Sequence, residues 1–210
     1  MLNILIADDH AVVRCGVRDI LAEEFPSARF GEAANAGEVF REIWTKDWDL
    51  IILDITMPGR SGLDVLREVK SARPGLPILV LSMHPEDQFA KRSLKAGASG
   101  YLNKETAAEE LVQAAKKILA GGRYVSRSLA ERLAFDLEAK VTELPHEALS
   151  DREFQVLRMI GSGRTVSQIG RELSLSVKTI STYRARILRK MDMKTNADLT
   201  RYAVENKLLD

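Results

Sequence analysis

The sequence is poor in cysteine, in long apolar runs and in net charge, and each shortage closes off a class of protein. Cys15 is the only cysteine among 210 residues, so no internal disulfide can form. Set in an apolar helical pattern, it is expected to be a small buried hydrophobe. No apolar run approaches the length of a membrane span, so no membrane partner is expected. The first residues enter a short apolar run and an acidic pair, not a basic-then-apolar leader, and a cytoplasmic location is the expectation. A formal net charge of +1 conceals an asymmetry: residues 1–125 hold 16 basic and 18 acidic side chains, net −2, while residues 154–210 hold 11 and 5, net +6. Halves so different are expected to do different jobs. The stretch between them, 126–153, carries 4 basic and 7 acidic residues, which suits a solvated connector.

What is present is organised around Asp49-Leu50-Ile51-Ile52-Leu53-Asp54-Ile55-Thr56-Met57-Pro58-Gly59. An apolar run this short, bounded by Asp and Pro-Gly, predicts a strand buried on both faces. Similar runs predict strands at 3–8, 28–34, 77–83 and 100–104, each followed by a helical pattern, the last one at 106–120 and stopped by Gly121-Gly122. Five strand-helix units argue a parallel sheet covered on both faces. Asp8-Asp9, Asp54, Ser82 and Lys104 then stand at the ends of strands one, three, four and five, all on the sheet edge where such folds place their ligands.

With the flavodoxin-like order 2-1-3-4-5, strands one and three are neighbours and three carboxylates share one crevice. Like charges there repel unless a cation intervenes, and Mg²⁺, a hard ion content with oxygen ligands and water, is the natural occupant. Lys104 and Ser82 add a cation and a hydroxyl. That set suits phosphoryl transfer, with Asp54 the candidate nucleophile.

Asp8-Asp9, Asp54 followed by Met57-Pro58-Gly59, Ser82, and Lys104 with Tyr101 three residues before it resemble the receiver domain of two-component response regulators over residues 1–120. The resemblance implies that Asp54 is the phosphoacceptor. It implies that Asp9, Asp54 and the main-chain carbonyl of Thr56 bind Mg²⁺ with support from Asp8, and that Ser82 and Tyr101 are a switch pair whose aromatic ring follows the hydroxyl inward.

In the basic half, Ser150 and Glu153 have the spacing of a capping box, and helices are expected at 151–161, 165–173 and 176–191. On the last of these, Val177, Ile180, Ile187, Leu188 and Met191 fall on one stripe. Lys178, Thr182, Ala185 and Arg189 fall opposite, flanked by Ser181 and Arg186. Two short helices joined at Ser174-Leu175-Ser176, the second basic, predict a helix-turn-helix whose second helix enters the major groove. Lys178, Arg186, Arg189 and Lys190 are expected on phosphates, and Ser181, Thr182 and Ala185 on base edges. Arg184, inside the apolar stripe, must snorkel or find an acid.

Residues 149–210 resemble the LuxR-type DNA-binding domain at Leu149-Ser150, Glu153, Val156-Leu157, Gly163, Ile169, Leu173, Ser176, Lys178-Thr179-Ile180, Ile187 and Lys190, which adds Thr179 and Tyr183 to the expected DNA contacts. Gln168 and Gly170 stand where the family shows Glu and Ala, and Tyr183 where it shows His. The two halves together resemble a NarL/FixJ-type response regulator. The expected arrangement is a flavodoxin-like five-stranded α/β receiver at 1–122, a partly helical linker at 123–147 and an all-α helix-turn-helix domain at 148–210. A sensor histidine kinase, promoter DNA and a second copy of the chain are the expected partners. The rival is a Mg²⁺-dependent phosphatase working through an aspartyl phosphate. Such an enzyme resembles Asp-x-Asp, and here Thr56 stands two residues after Asp54, so a regulator rather than an enzyme is expected.

Overall fold

The computed structural model describes residues 1–57, 60–84, 86–138 and 144–209. Pro58 and Gly59 of the expected turn, Glu143 of the expected linker, and the side chains of Leu133 and Leu137 lie outside the description. The chain divides into two compact units, residues 1–135 and 136–210.

The first unit is a parallel sheet in the order β2-β1-β3-β4-β5, formed by β1 (Asn3–Ala7), β2 (Arg29–Ala33), β3 (Leu50–Asp54), β4 (Ile78–Ser82) and β5 (Gly100–Asn103). Every residue of β3 and β4 is buried, as continuous apolar runs require when helices cover both faces. The edge strand β2 is only partly buried, which explains its weak apolar pattern. Because side chains alternate along a strand, Ile4, Ile6, Leu50, Ile52, Leu79 and Leu81 share one face. There they pack with Val17 and Leu21 of α1 (Ala11–Glu24) and Leu111, Ala115 and Ile118 of α5 (Ala107–Leu119). Between β2 and β5 the chain also forms α2 (Ala36–Thr45), α3 (Gly62–Ala72) and α4 (Glu86–Lys95).

Two expectations change here. Cys15 is exposed, with its Sγ 3.0 Å from Arg18 Nη2. At 100° per residue it lies about 200° round the helix from Val17, which faces the core. The expected linker also does not begin at 123. Tyr124 is buried against the outer edge of β5, donating from its N–H to Ser99 O (2.9 Å) and accepting from Tyr101 N (3.3 Å), while its hydroxyl meets Glu110 at 2.6 Å. The next helix, α6 (Arg127–Glu138), is tied at its start to α4 by Ser126 Oγ and Glu86 Oε2 at 2.5 Å.

The second unit contains α7 (Asp151–Gly161), α8 (Val166–Glu172), α9 (Val177–Lys190) and α10 (Asn196–Glu205). A unit this small buries little surface, and helix ends matter correspondingly. Ser150, Thr165, Ser176 and Thr195 each cap a helix start. Gln168, the departure from the family's Glu, closes a capping box with Thr165 just as a Glu would. A short turn at Pro145–Ala148 precedes α7, and His146 within it packs on Phe154 and lies 2.9 Å from the Tyr202 hydroxyl. The end of the expected linker therefore belongs to this unit's packing.

The turn between α8 and α9 is built on backbone geometry. Ser174 adopts the left-handed conformation at φ 54°, and Leu175 N donates to Gly170 O at 2.8 Å, a helix-ending motif that reverses the chain within three residues. A Cβ at position 170 would stand 2.8 Å from Leu175 O, so glycine here permits a closer return of the chain.

Candidate functional site

Each strand end of the first unit delivers one polar group to the same edge. Asp54 closes β3 and is 1% exposed, because the strand that carries it is covered on both faces. Asp8 follows β1 and is equally buried, while Ser82 closes β4 with no exposure. Lys104 follows β5, its N–H continuing the ladder to Ser82 O at 2.8 Å. Its ammonium lies 2.8 Å from Asp54 Oδ2 and 2.6 Å from Asp8 Oδ2, the latter an ion pair without good hydrogen-bond direction. Thr56 N donates to Asp54 Oδ1 at 2.8 Å, so both oxygens of the central carboxylate are engaged.

Burial pushes the Asp54 carboxyl above the ordinary carboxylate range and Asp8 adds to the rise, while Lys104 and the Thr56 amide pull it back. For Lys104, burial favours the neutral amine, but Asp54 and Asp8 outweigh it and hold the ammonium above its usual value. Three carboxylates remain against one lysine. Asp8, Asp9, His10 and Asp54 each offer a donor atom within 4.8 Å of the others. Hard oxygen donors with surplus negative charge are the donor set that Mg²⁺ accepts.

Ser82 and Tyr101, the expected switch pair, are both buried beside the site. Tyr101 is already fully buried, its hydroxyl donating to His84 O at 2.8 Å, and Ser82 Oγ accepts from His84 N at 3.1 Å. Ring and serine are thus joined through one backbone unit, with the ring turned inward. Four contributors carry no sequence signal of their own. Arg14 Nη1 fixes the Asp8 carbonyl at 2.8 Å, His84 works through its backbone, and His10 stands beside the acidic pair. Gly62 lets α3 begin directly against the end of β3. The one usable signal was adjacency, since His10 follows Asp8-Asp9.

In the second unit, Lys178, Ser181, Thr182, Ala185, Arg186 and Arg189 form an exposed face along α9, with Thr179 and Tyr183 half-buried at its flanks. Ile180 and Ile187 face the core and Leu188 is half-buried. Val177, expected in the buried stripe, is 51% exposed in the first turn. Arg184 is partly exposed and donates to the side-chain oxygen of Asn196. Lys190, expected on phosphate, spends its ammonium on Glu153 at 2.6 Å. Burial works against the Glu153 carboxylate, but Lys190 and Ser150 hold it below its usual range. The lysine thereby joins α9 to the capping box of α7.

A buried strand-end carboxylate paired with a lysine, in a 2-1-3-4-5 parallel sheet followed by a helix-turn-helix unit, defines a receiver coupled to a DNA reader. Residues 4–116 match the response regulator receiver domain and residues 147–203 match the bacterial regulatory proteins of the luxR family. The chain belongs to the two-component response regulators that join these two domains. It is 34% identical to the response regulator UvrY of Escherichia coli over 99% of this chain and 96% of that one, and 33% identical to the response regulator GacA of Pseudomonas aeruginosa over 100% and 99%. Among solved structures it is similar to RcsB of Salmonella enterica serovar Typhimurium, bound to promoter rprA in the presence of phosphomimetic BeF3⁻, at 26% identity and a TM-score of 0.58 over 96% of this chain and 98% of that one. Among the described residues, no helix is long and apolar enough to cross a membrane.

Proposed function

We propose that the protein is a cytoplasmic transcription regulator switched by transfer of a phosphoryl group from a sensor histidine kinase to Asp54. The buried Asp8–Lys104–Asp54 contact, assembled from three strand ends, carries this reading. An Asp54 oxygen attacks the phosphorus of a phosphohistidine; the P–O bond forms as the P–N bond breaks, and the imidazole leaves with a proton. Lys104, already at Asp54 Oδ2, is positioned to follow the charge onto the phosphoryl oxygens, and Ser82 to donate its hydroxyl there. Asp8, Asp9, Asp54 and the Thr56 carbonyl would hold Mg²⁺, which when bound offsets phosphoryl charge. We assign the receiver to the expected residues 1–122 extended through the Tyr124 edge segment, and the DNA reader to the expected 148–210 together with the turn at Pro145–Ala148 packed on it. Purified protein given Mg²⁺ and acetyl phosphate gains one phosphoryl group by intact-mass measurement. Equal labelling of Asp54→Asn would remove Asp54 from the role.

The exposed basic face of α9 supports promoter binding, as the RcsB relative is bound to a promoter, and a structure of two RcsB dimers bound to two parallel DNAs supports binding as a dimer. Lys178, Arg186 and Arg189 would take phosphates, and Ser181, Thr182 and Ala185 would face base edges, flanked by Thr179 and Tyr183. Lys190 would position α9 through Glu153. Arg189→Ala is expected to weaken all DNA sequences alike and reduce the salt slope by roughly one unit. A changed base preference in a binding-site selection would instead place Arg189 in the groove.

A further inference from the structure

Beside the three carboxylates stands an imidazole that phosphoryl transfer to Asp54 leaves without a task. His10 Nδ1 lies 3.0 Å from Asp9 Oδ1 and 3.2 Å from Asp8 Oδ1. The ring is held there by its own backbone, since His10 N donates to Asp8 Oδ1 at 2.8 Å. His10 is the N-cap residue of α1, but its side chain makes no capping hydrogen bond. The imidazole is therefore not spent on the helix end. Its side chain is 67% exposed, which leaves it accessible to an ion arriving from solvent.

The separations suit a shared ion. Adjacent ligands on an octahedron with bonds of about 2.1 Å stand about 3.0 Å apart. The imidazole nitrogen stands at that spacing from two carboxylates at once, in hydrogen-bond contact with Asp8, within a cluster that also contains Asp54; an ion bound there takes the place of the Nδ1 proton, which leaves to solvent. Imidazole raises affinity for transition ions far more than for Mg²⁺, which prefers oxygen and retains water.

We infer that His10 Nδ1 is an additional protein donor at the receiver's divalent-ion site and shifts its preference toward transition ions such as Mn²⁺. The inference rests on the reading that the carboxylates hold a divalent cation, and the two are separable by experiment. Full-length protein is titrated with Mn²⁺ alone, and continuous-wave EPR of the unbound ion gives the affinity. Pulsed EPR on the bound ion then reads the ¹⁴N coupling of a coordinated imidazole. The wild type is expected to show that coupling, and His10→Ala and His10→Asn to lose it. The Mn²⁺ dissociation constant should rise about tenfold in both variants, and that for Mg²⁺, measured by competition, less than about threefold. Mn²⁺ bound to the wild type without ¹⁴N coupling overturns the role of His10 and leaves the carboxylate site standing. Equal weakening of both ions, or tighter binding of both, overturns the selectivity. Mn²⁺ affinity unchanged in Asp9→Asn and Asp54→Asn brings down the metal site itself.

Discussion

Replacing Lys104 by Met is expected to lower the stability of the receiver unit by about 3 kcal/mol in metal-free solution. The substitution keeps much of the side chain's apolar bulk and removes only the charge that Asp8 and Asp54 share. Removing one partner of a buried ion pair leaves the other uncompensated, which costs far more than the intact pair contributes. The sign of the pH dependence follows from Asp54. Its folded-state value is raised, so its contribution to stability is fully present below the unfolded value of about 3.9 and is lost as pH rises through the folded value. Without Lys104 the main opposing pull disappears, the folded value moves further up, and the deficit grows with rising pH. Trp44 and Trp48, the only tryptophans, both lie in the receiver unit, so their fluorescence in urea follows this unit alone. Unfolding at pH 5 and pH 8 in the presence of EDTA should show the larger deficit at pH 8. Equal deficits would mean that the lysine acts through packing.

Gly62→Ala is expected to cost about 3 kcal/mol and to slow phosphorylation of Asp54 by roughly a hundredfold. A Cβ at this position would stand 2.3 Å from Ile55 Cα and 2.5 Å from Asp54 O. Both obstacles are backbone, so the clash cannot be relieved by turning a side chain. Gly62 N also donates to Ile55 O at 3.2 Å, which seats the first turn of α3 directly on the segment that carries Asp54. Pushing the two apart displaces Asp54 from Lys104. Labelling with acetyl phosphate, followed by mass spectrometry over time, reads the rate. A variant that unfolds early but labels at the wild-type rate would show that α3 moves and Asp54 does not.

The strand ends were legible because a buried strand must be apolar until it leaves the sheet, so Asp8, Asp54, Ser82 and Lys104 interrupted their runs at the same edge. The partners that complete the site were not. Arg14 and His84 act on or through backbone atoms, which no side-chain pattern encodes. Cys15 shows a limit of periodicity in short helices. It sits among apolar neighbours in sequence but on the far side of α1 in space. Lys190 shows a limit of charge counting, since a basic helix does not reveal which of its cations is already paired with an acid on a neighbouring helix. The start of the connector shows the same limit. Tyr124, the second residue of the linker expected at 123–147, adds itself to the sheet edge beside Tyr101.

Phosphoryl occupancy of Asp54 is expected to set the DNA affinity of the second unit. Full-length wild type and Asp54→Asn, each with and without acetyl phosphate and Mg²⁺, are titrated at one salt concentration against a promoter fragment recovered by genome-wide occupancy of the wild type. Phosphorylation is expected to tighten wild-type binding by about 5–150-fold, the range of typical couplings, and to leave Asp54→Asn unchanged. Equal wild-type affinities with and without the phosphodonor, under conditions where intact mass shows Asp54 occupied, would contradict it.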